Sequence, residues 1–343
     1  MTSALGHIPQ RVGPLAGLPA LVSDLGGKVD EVFAGSGLAP QELVADRYIS
    51  MALFVALLER AAAATRRPDF ALQLGLRQSP SSLGPVGRLM TLAPTLGEAL
   101  SDFVSFQISN SRGAAVYLHR MGDDFAFGIG IYGHAFQLSS LPYDLSIAVG
   151  CSLIRHLTRG QIAPLEIMLI RRGPKDPAPY HRLAPCPVRF DQAQCCIMLS
   201  RQQLAYRLPS ADPAQRGLLL GQLNEALSRA PWGMSGRVRH ALRPALLQGR
   251  DSLGEVARAL GFHPRSLERH LKDEGASFYV LKDEVRFVLA KELLALTRLP
   301  VGEIGASLSY GSHSSFVHAF QRWAATTPTK WRQDFASRSS APA

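Results

Sequence analysis

Two arginines four residues apart, Arg265 and Arg269, lie in a short helix-forming segment of this 343-residue chain. Side chains at this spacing share one face of a helix. Each guanidinium could hold the edge of a guanine through two hydrogen bonds, or could simply neutralise a phosphate. Ser266 and Glu268 share the exposed side, where Glu268 could accept from a cytosine amino group or pair with a neighbouring arginine. The segment therefore predicts a nucleic-acid-binding surface.

A second set of outward-facing side chains follows about fifty residues later: His313, Ser314, Val317 and His318. By the same logic Val317 could touch a thymine methyl group and His318 a phosphate. A metal site shared by His313 and His318 is not expected, because positions i and i+5 lie on different helix faces. Further along, Lys330 and Arg332 are expected to contact the nucleic-acid backbone.

These side chains need a framework, and the sequence repeats one. Residues 252–272 place an apolar face on two short helices separated by Gly261 and Pro264, with a small residue where the helices cross. Glycine suits the turn, and proline suits the first turn of a helix. Residues 301–323 repeat the pattern with Gly305 at the crossing. Each segment predicts a helix-turn-helix unit.

A single helix is predicted between the two units, over residues 278–296. Its apolar residues recur at helical spacing. Nineteen residues form a rod of roughly 28 Å, while successive major-groove faces of a duplex lie about 34 Å apart. The helix could therefore set two recognition helices into adjacent grooves of double-stranded DNA.

The charge distribution is consistent with a nucleic-acid partner. The chain carries a net charge of +10, and residues 233–343 hold 16 basic and 10 acidic residues, more than half of the excess. No apolar run is long enough for a membrane helix, and we interpret the first residues as carrying no export signal. The four cysteines lack zinc-ligand spacing. No cofactor or metal is expected, and a cytoplasmic location follows.

The first part of the chain predicts an α+β domain over residues 1–210. Helical patterns cover residues 41–64, 95–103 and 144–157, a β-hairpin covers 114–132, and strands are predicted within 161–171 and 195–200. Residues 211–232 are interpreted as a linker helix that either packs on its own domain or contacts a second copy. Residues 233–343 form the all-α domain with the two helix-turn-helix units and the long helix.

The hairpin carries aromatic and histidine side chains that are candidates for an effector cavity: Tyr117, His119, Phe127, Tyr132 and His134. They could equally belong to an ordinary core. Residues 128–133 spell GxGxxG, but no helix opens directly after them and no acidic residue lies about twenty positions on, so dinucleotide binding is not expected. No catalytic constellation is visible.

Residues 236–335 resemble the DNA-binding domain of the AraC/XylS regulators. The resemblance rests on 256–262 (VARALGF), 266–271 (SLERHL), 304–310 (IGASLSY), 315–320 (SFVHAF) and 327–332 (TPTKWR). Residues 83–87 (LGPVG) and 95–100 (TLGEAL) resemble the arabinose-binding-type effector and dimerisation domain of one branch of that family.

The resemblance implies a ligand-responsive transcription activator that forms a homodimer, binds a small-molecule effector and meets RNA polymerase. Three positions depart from the family pattern, which often has glycine at Ser309, arginine at His318 and glycine at Ala325. The first unit is therefore expected to contribute more DNA affinity. Two rival hypotheses remain: an enzyme with an appended DNA-targeting module, and a ligand-blind architectural protein.

Overall fold

The computed structural model describes residues 8–107, 110–111, 113–131, 139–228, 233–247 and 249–339. The contacts among Cα atoms divide the chain into two units, one built from most residues up to 230 and the other from residues after 230. Leu169–Gly173 and Phe190–Gln194 are grouped with the second unit. The predicted boundary at residue 210 therefore stays a prediction, and the two units are described separately.

The first unit is α+β, as the sequence predicts. Its strands are β1 (Pro9–Arg11), β2 (Tyr48–Ser50), β3 (Ala114–Met121), β4 (Asp124–Ile131), β5 (Glu166–Met168), β6 (Val188–Arg189) and β7 (Cys195–Leu199). Its helices are α1 (Leu18–Asp24), α2 (Val29–Phe33), α3 (Met51–Thr65), α4 (Phe70–Leu76), α5 (Pro85–Thr91), α6 (Leu96–Phe106), α7 (Leu141–Leu157), α8 (Arg201–Leu204) and α9 (Pro213–Ser228).

The larger sheet has the strand order β3-β4-β7-β5-β6, and the short strands β1 and β2 form a separate antiparallel pair. The predicted hairpin is confirmed: β3 and β4 pair antiparallel from Ala114 opposite Ile131 to Met121 opposite Asp124. β4 continues antiparallel onto β7, and among the strands that the structure describes only β5 and β6 pair in parallel. Nearly all of α7 is buried, because it packs against β4 and β7 of this sheet and also against α4.

Two predicted elements are shorter than expected. The helix predicted over residues 41–64 begins only at Met51, because the side chain of Ser50 accepts a hydrogen bond from the Leu53 amide and caps it there. Residues before it form a 3₁₀ turn and strand β2, which pairs with β1. Within residues 161–171 only Glu166–Met168 is a strand. The capped helix starting after Thr95 is confirmed and extends to Phe106.

The second unit is all-helical, as predicted. Its helices are α10 (Met234–Leu247), α11 (Leu253–Ala259), α12 (Pro264–Asp273), α13 (Phe278–Leu296), α14 (Val301–Ser307), α15 (His313–Ala324) and α16 (Pro328–Ser339). α13 has the bounds expected from the sequence and contacts α10, α14, α15 and α16. Arg243 of α10 and Glu292 of α13 form a buried ion pair that fixes these two helices together.

The described ranges hold neither a membrane-spanning helix nor a cluster of metal-ligating side chains. No helix among these residues combines the length and apolar composition needed to cross a bilayer. The same residues contain no group of three or more histidine, cysteine or acidic side chains placed to hold a metal ion.

Candidate nucleic-acid interface

The first helix-turn-helix unit consists of α11 and α12. Ser252 and Glu255 form a capping box at the start of α11: the Ser252 hydroxyl accepts from the Glu255 amide at 3.3 Å, and Glu255 reaches back to Ser252. Gly261 turns the chain with a φ of +76°, a conformation that glycine adopts at little cost. α12 then begins at Pro264 and buries Leu267 completely. The turn predicted from the sequence is thus confirmed.

The outer face of α12 presents the candidate base-reading residues. Arg265, Glu268 and Arg269 are exposed, and Ser266 is half-buried. Among the described residues, none of the three charged side chains makes an ion pair within 4 Å. Glu268 therefore does not neutralise Arg265 or Arg269 in this structure. All three groups are available to a ligand that approaches this face.

The second unit consists of α14 and α15, and its helices cross at Gly305. A Cβ atom at Gly305 would lie 3.0 Å from Cβ of Phe316, so a larger side chain would push α15 away. Ser309 occupies the turn position that Gly261 holds in the first unit, and its φ of +61° reproduces the same left-handed turn. The Ser312 hydroxyl caps α15 by accepting from the Ser315 amide at 3.1 Å. The departure from glycine at Ser309 therefore leaves the turn geometry intact.

The outer face of α15 carries no arginine in its first two turns. His313, Ser314 and His318 are exposed and Val317 is half-buried, while Phe316 and Phe320 are fully buried on the opposite side. The structure thus places the four predicted residues on the outward side of α15. Compared with α12, this face offers imidazoles, a hydroxyl and a methyl surface in place of two guanidinium groups.

Arg286 of α13 contacts residues of both helix-turn-helix units, a role that the sequence did not reveal. Its Nη2 atom lies 3.2 Å from the Asp251 carboxylate, just before α11, and donates to the Ser309 carbonyl at 3.3 Å. The guanidinium also lies 4.7 Å from the ring centroid of Tyr310, and burial raises the pKa of this tyrosine to about 12. Lys282 adds a second cation at 2.7 Å from Asp251. One side chain therefore ties the turn of the second unit to the start of the first.

The last helix, α16, carries the two basic residues predicted to touch the DNA backbone, and their surroundings differ. Lys330 is exposed. Arg332 is half-buried and donates to the carbonyls of Leu294 at 3.1 Å and Leu299 at 2.7 Å, which fastens α16 to the end of α13. Arg332 thus has a structural role, and its phosphate contact remains only a prediction. Trp331 packs within the domain, with its ring stacked on Phe335.

The N-terminal α+β unit contains a cavity of about 100 Å³. Phe127 lines it, but Tyr117 and His119 do not, because alternate residues of β3 face opposite sides of the sheet. The lining residues Ala114 and Val116 lie on one side. On the other side, the ring of Tyr117 stacks on His119. The same ring lies over Gly128, its partner on β4, where a Cβ atom would lie 2.4 Å from Cζ of the tyrosine. The remaining effector candidates, Tyr132 and His134, lie outside the described residues.

One end of this cavity is polar, and sequence reasoning missed its residues. Gln107 and Asn110, at the end of α6 and just after it, are buried and line the cavity together with Arg11 of β1. Arg11 is only 6% exposed and donates to the Asp46 carboxylate at 2.6 Å. Nothing in the sequence separation of Arg11 and Gln107 indicates that they meet. Only the close approach of β1 to the end of α6, through the hydrogen bond from the Arg11 amide to the Asn110 carbonyl, brings them together.

The linker helix α9 packs on its own domain, as one of the two sequence interpretations allowed. Arg216 makes a two-pronged ion pair with the Asp102 carboxylate of α6, to which Nη2 donates at 2.8 Å and Nε at 3.1 Å, and Leu223 is buried. Leu218, on the same helix, is 73% exposed. This packing buries Leu223 and leaves Leu218 accessible.

Paired helix-turn-helix units on a rigid connecting helix define a DNA-binding transcriptional regulator. The family model for the arabinose-binding N-terminal domain of AraC transcription regulators matches residues 26–208, and a helix-turn-helix domain model matches residues 256–334. The chain belongs to this AraC family of regulators. Both matched domains are those of transcription regulators and not of enzymes.

The chain is also similar to several individual proteins. The chain is 28% identical over 301 residues to the HTH-type transcriptional regulator VirS of Mycobacterium tuberculosis, covering 86% of this chain and 87% of the relative. It is 26% identical to the ornithine utilization regulator of Pseudomonas aeruginosa, covering 91% and 93%. The crystal structure of the transcriptional regulator CdpR from Pseudomonas aeruginosa is similar with a TM-score of 0.46 and 24% identity, covering 92% and 97%.

Proposed function

We propose that this protein is a ligand-responsive transcription activator that reads a specific DNA sequence by placing α12 and α15 in adjacent major grooves. The carrying observation is that both helices present an exposed outer face, with Arg265 and Arg269 on α12 and His313 and His318 on α15. The 19-residue helix α13 separates the two units. Its length of roughly 28 Å is close to one turn of the duplex, about 34 Å.

The two faces support unequal contributions to affinity. The arginines of α12 can make bidentate contacts to guanine as well as phosphate contacts, whereas the face of α15 offers weaker hydrogen-bonding groups. Glu268 is free of ion pairs within the described residues and can accept from cytosine. Ser266, Ser314 and Val317 complete the two reading surfaces, and Lys330 contacts phosphate.

Effector response, dimerisation and activation belong to the same proposal. The cavity of the first unit supports effector binding, and one relative is named for regulation of ornithine utilization, which favours a metabolite as signal. The exposed Leu218 on α9 supports a homodimer contact through that helix. In this proposal the protein acts on chromosomal DNA in the cytoplasm, and effector binding changes its affinity for paired sites and its contact with RNA polymerase.

The experiment that tests the DNA-binding part uses the full chain. Sites are selected from a random duplex library, and affinity for the best site is measured by fluorescence anisotropy over a range of salt concentrations. Inserting about five base pairs between the two half-contacts should reduce affinity at least tenfold, because it rotates the second groove to the far side of the duplex. An insertion of about ten base pairs restores the face of the duplex but moves the second groove one turn away. It should also reduce affinity at least tenfold, because α13 has a fixed length.

Two outcomes would contradict the proposal. If the five-base-pair insertion leaves affinity unchanged, only one unit reads DNA. If selection returns no preferred sequence, the protein is an architectural binder. Activation is tested separately by transcription in vitro from a promoter carrying the selected site, with and without the protein; repression would contradict the activator assignment.

A further inference from the structure

The cavity of the first unit has apolar walls and one polar end. The walls include Phe54, Phe103, Phe127 and Ile197. The polar end is formed by Arg11, Gln107 and Asn110, each less than 8% exposed. A cavity of this kind suits an apolar ligand held in place by a few polar contacts.

The orientation of the Gln107 amide is fixed by its partners. Its Nε2 atom donates to the backbone carbonyls of Ala114 at 3.0 Å and Ser111 at 3.3 Å. Turning the amide over would set Oε1 against two carbonyl oxygens, so the oxygen must face away from them. Across the described residues, this buried Oε1 has no hydrogen-bond partner. Gln107 therefore presents an unused acceptor.

Asn110 presents the opposite group. Its Oδ1 atom accepts from Nη1 of Arg11 at 3.4 Å, and the reversed amide would bring two donors together. The Nδ2 atom is buried and lacks a partner within the described part of the chain. An unsatisfied buried polar group costs free energy that a bound ligand recovers. Asn110 therefore presents an unused donor, whereas Gln107 presents an unused acceptor.

Arg11 does not convert this end into an anion site. Its guanidinium is committed to the Asp46 carboxylate at 2.6 Å and to the Ser82 carbonyl at 2.6 Å. A ligand carboxylate would also face the Gln107 oxygen with no proton to donate. A sugar is equally unsuited, because several of its hydroxyl groups would lie unsatisfied against the apolar walls.

We propose that this cavity is the effector site and that it selects a small apolar molecule carrying one neutral group that both donates and accepts, such as an amide. The inference rests on the ligand response proposed above. The ligand donates to Oε1 of Gln107 and accepts from Nδ2 of Asn110, while its apolar part lies against Phe127. A cavity of roughly 150 Å³ admits benzene, which has six non-hydrogen atoms, so one of about 100 Å³ encloses about four. Because this cavity is partly open to solvent, a six-atom ligand can extend toward its mouth.

The test measures binding to the full chain by saturation-transfer NMR, with thermal melting as a second readout. Butyramide, pentan-2-one and butyrate have the same number of non-hydrogen atoms and differ only in the polar group. Butyramide is expected to bind with a dissociation constant on the order of 1 mM. Pentan-2-one, which cannot donate, and butyrate, which is charged, should each bind at least tenfold more weakly. L-Arabinose should not compete.

Two variants locate the site. Ala114→Leu fills the cavity from β3 and should abolish butyramide binding. Asn110→Asp keeps the acceptor for Arg11 but replaces the free donor with an oxygen, and should weaken butyramide at least tenfold. Ser105→Ala is the matched control: Ser105 is exposed on α6 and lies outside the cavity lining, and its hydroxyl already donates to the Ser101 carbonyl at 2.9 Å, so binding should be unchanged.

The inference is overturned if butyramide does not bind at ~20 mM, if the ketone, butyrate or arabinose binds as well, or if neither Ala114→Leu nor Asn110→Asp weakens binding. The assay contains no DNA, so any of these results leaves the proposed regulation standing. Conversely, selective butyramide binding supports the site even if neither butyramide nor larger neutral amides change the affinity for DNA. An unchanged affinity for DNA in the presence of bound amide would contradict the proposed ligand response and not the binding site.

Discussion

Arg286 donates to the backbone carbonyl of Ser309 at 3.3 Å while the same nitrogen lies 3.2 Å from the carboxylate of Asp251. Ser309 forms the left-handed turn of the second helix-turn-helix unit, and Asp251 precedes the first helix of the first unit. The spacing of the two reading helices thus depends on more than the length of α13, because a side chain near its middle holds the turn of the second helix-turn-helix unit and the residue just before the first.

Replacing Arg286 should destabilise both helix-turn-helix units. Arg286→Met removes two charge-assisted contacts and the cation–π contact with Tyr310, and should lower the free energy of unfolding by about 2 kcal/mol. All three tryptophans lie at or beyond position 232, so urea unfolding followed by tryptophan fluorescence monitors this part of the chain. Arg322→Met is the control: Arg322 pairs with Asp283 at 2.9 Å but is 65% exposed, and its loss should cost under about 1 kcal/mol. Equal effects would contradict the linking role.

Ala325 should respond in the opposite direction. It ends α15 in a left-handed conformation with a φ of +54°, and its amide donates to the Gln321 carbonyl at 2.9 Å. A residue with a Cβ atom is strained there, so Ala325→Gly should stabilise the domain by about 1 kcal/mol. Ala324→Gly, one residue earlier and inside the helix, should destabilise it by about 1 kcal/mol. If both substitutions have the same sign, the left-handed strain at Ala325 is not significant. Urea unfolding checks both.

Arg269 and His318 test the unequal roles of the two recognition helices. Arg269→Ala should reduce affinity for the selected site by about 1–3 kcal/mol and relax the preference at one base pair. His318→Ala should cost less, because its contact is to phosphate and affects all sequences alike. Anisotropy titrations on the selected site and on a scrambled duplex separate the two effects. A uniform loss of affinity for Arg269→Ala would make it a phosphate contact, and a larger loss for His318→Ala would reverse the expected order.

His240 of α10 should make the stability of the DNA-binding domain depend on pH. Burial lowers its pKa from 6.5 to about 4. The unfolded chain therefore binds the proton more readily, so the contribution is fully present above pH 6.5 and is lost as pH falls toward 4. Between pH 7.5 and pH 5 the loss is about 2 kcal/mol. His240→Gln should flatten this part of the profile in urea unfolding, whereas His318→Gln, on the exposed face of α15, should follow the wild-type curve. An unchanged slope for His240→Gln would contradict the prediction.

The helical domain was predictable because its information is local. Apolar spacing, Gly261 and Pro264 specify the first unit within about twenty residues, and the bounds predicted for α13 are those observed. The β-hairpin was predictable for the same reason, since its period of two and its turn lie within one short segment. The start of α3 was not, because pairing of β2 with the distant β1 competes with helical periodicity before Ser50.

By itself the sequence determined the class of protein, the paired units and the outward residues of α12 and α15, because helical faces follow from spacing alone. Tertiary structure decided that Arg332 is bound to backbone carbonyls and that Tyr117 faces away from the cavity. It also explained Ser309: the hydroxyl donates to the Leu246 carbonyl at 3.2 Å, a contact that glycine at this position could not make. Such contacts join residues 33 to 114 positions apart, or depend on which face of a strand turns inward, and no local pattern encodes either.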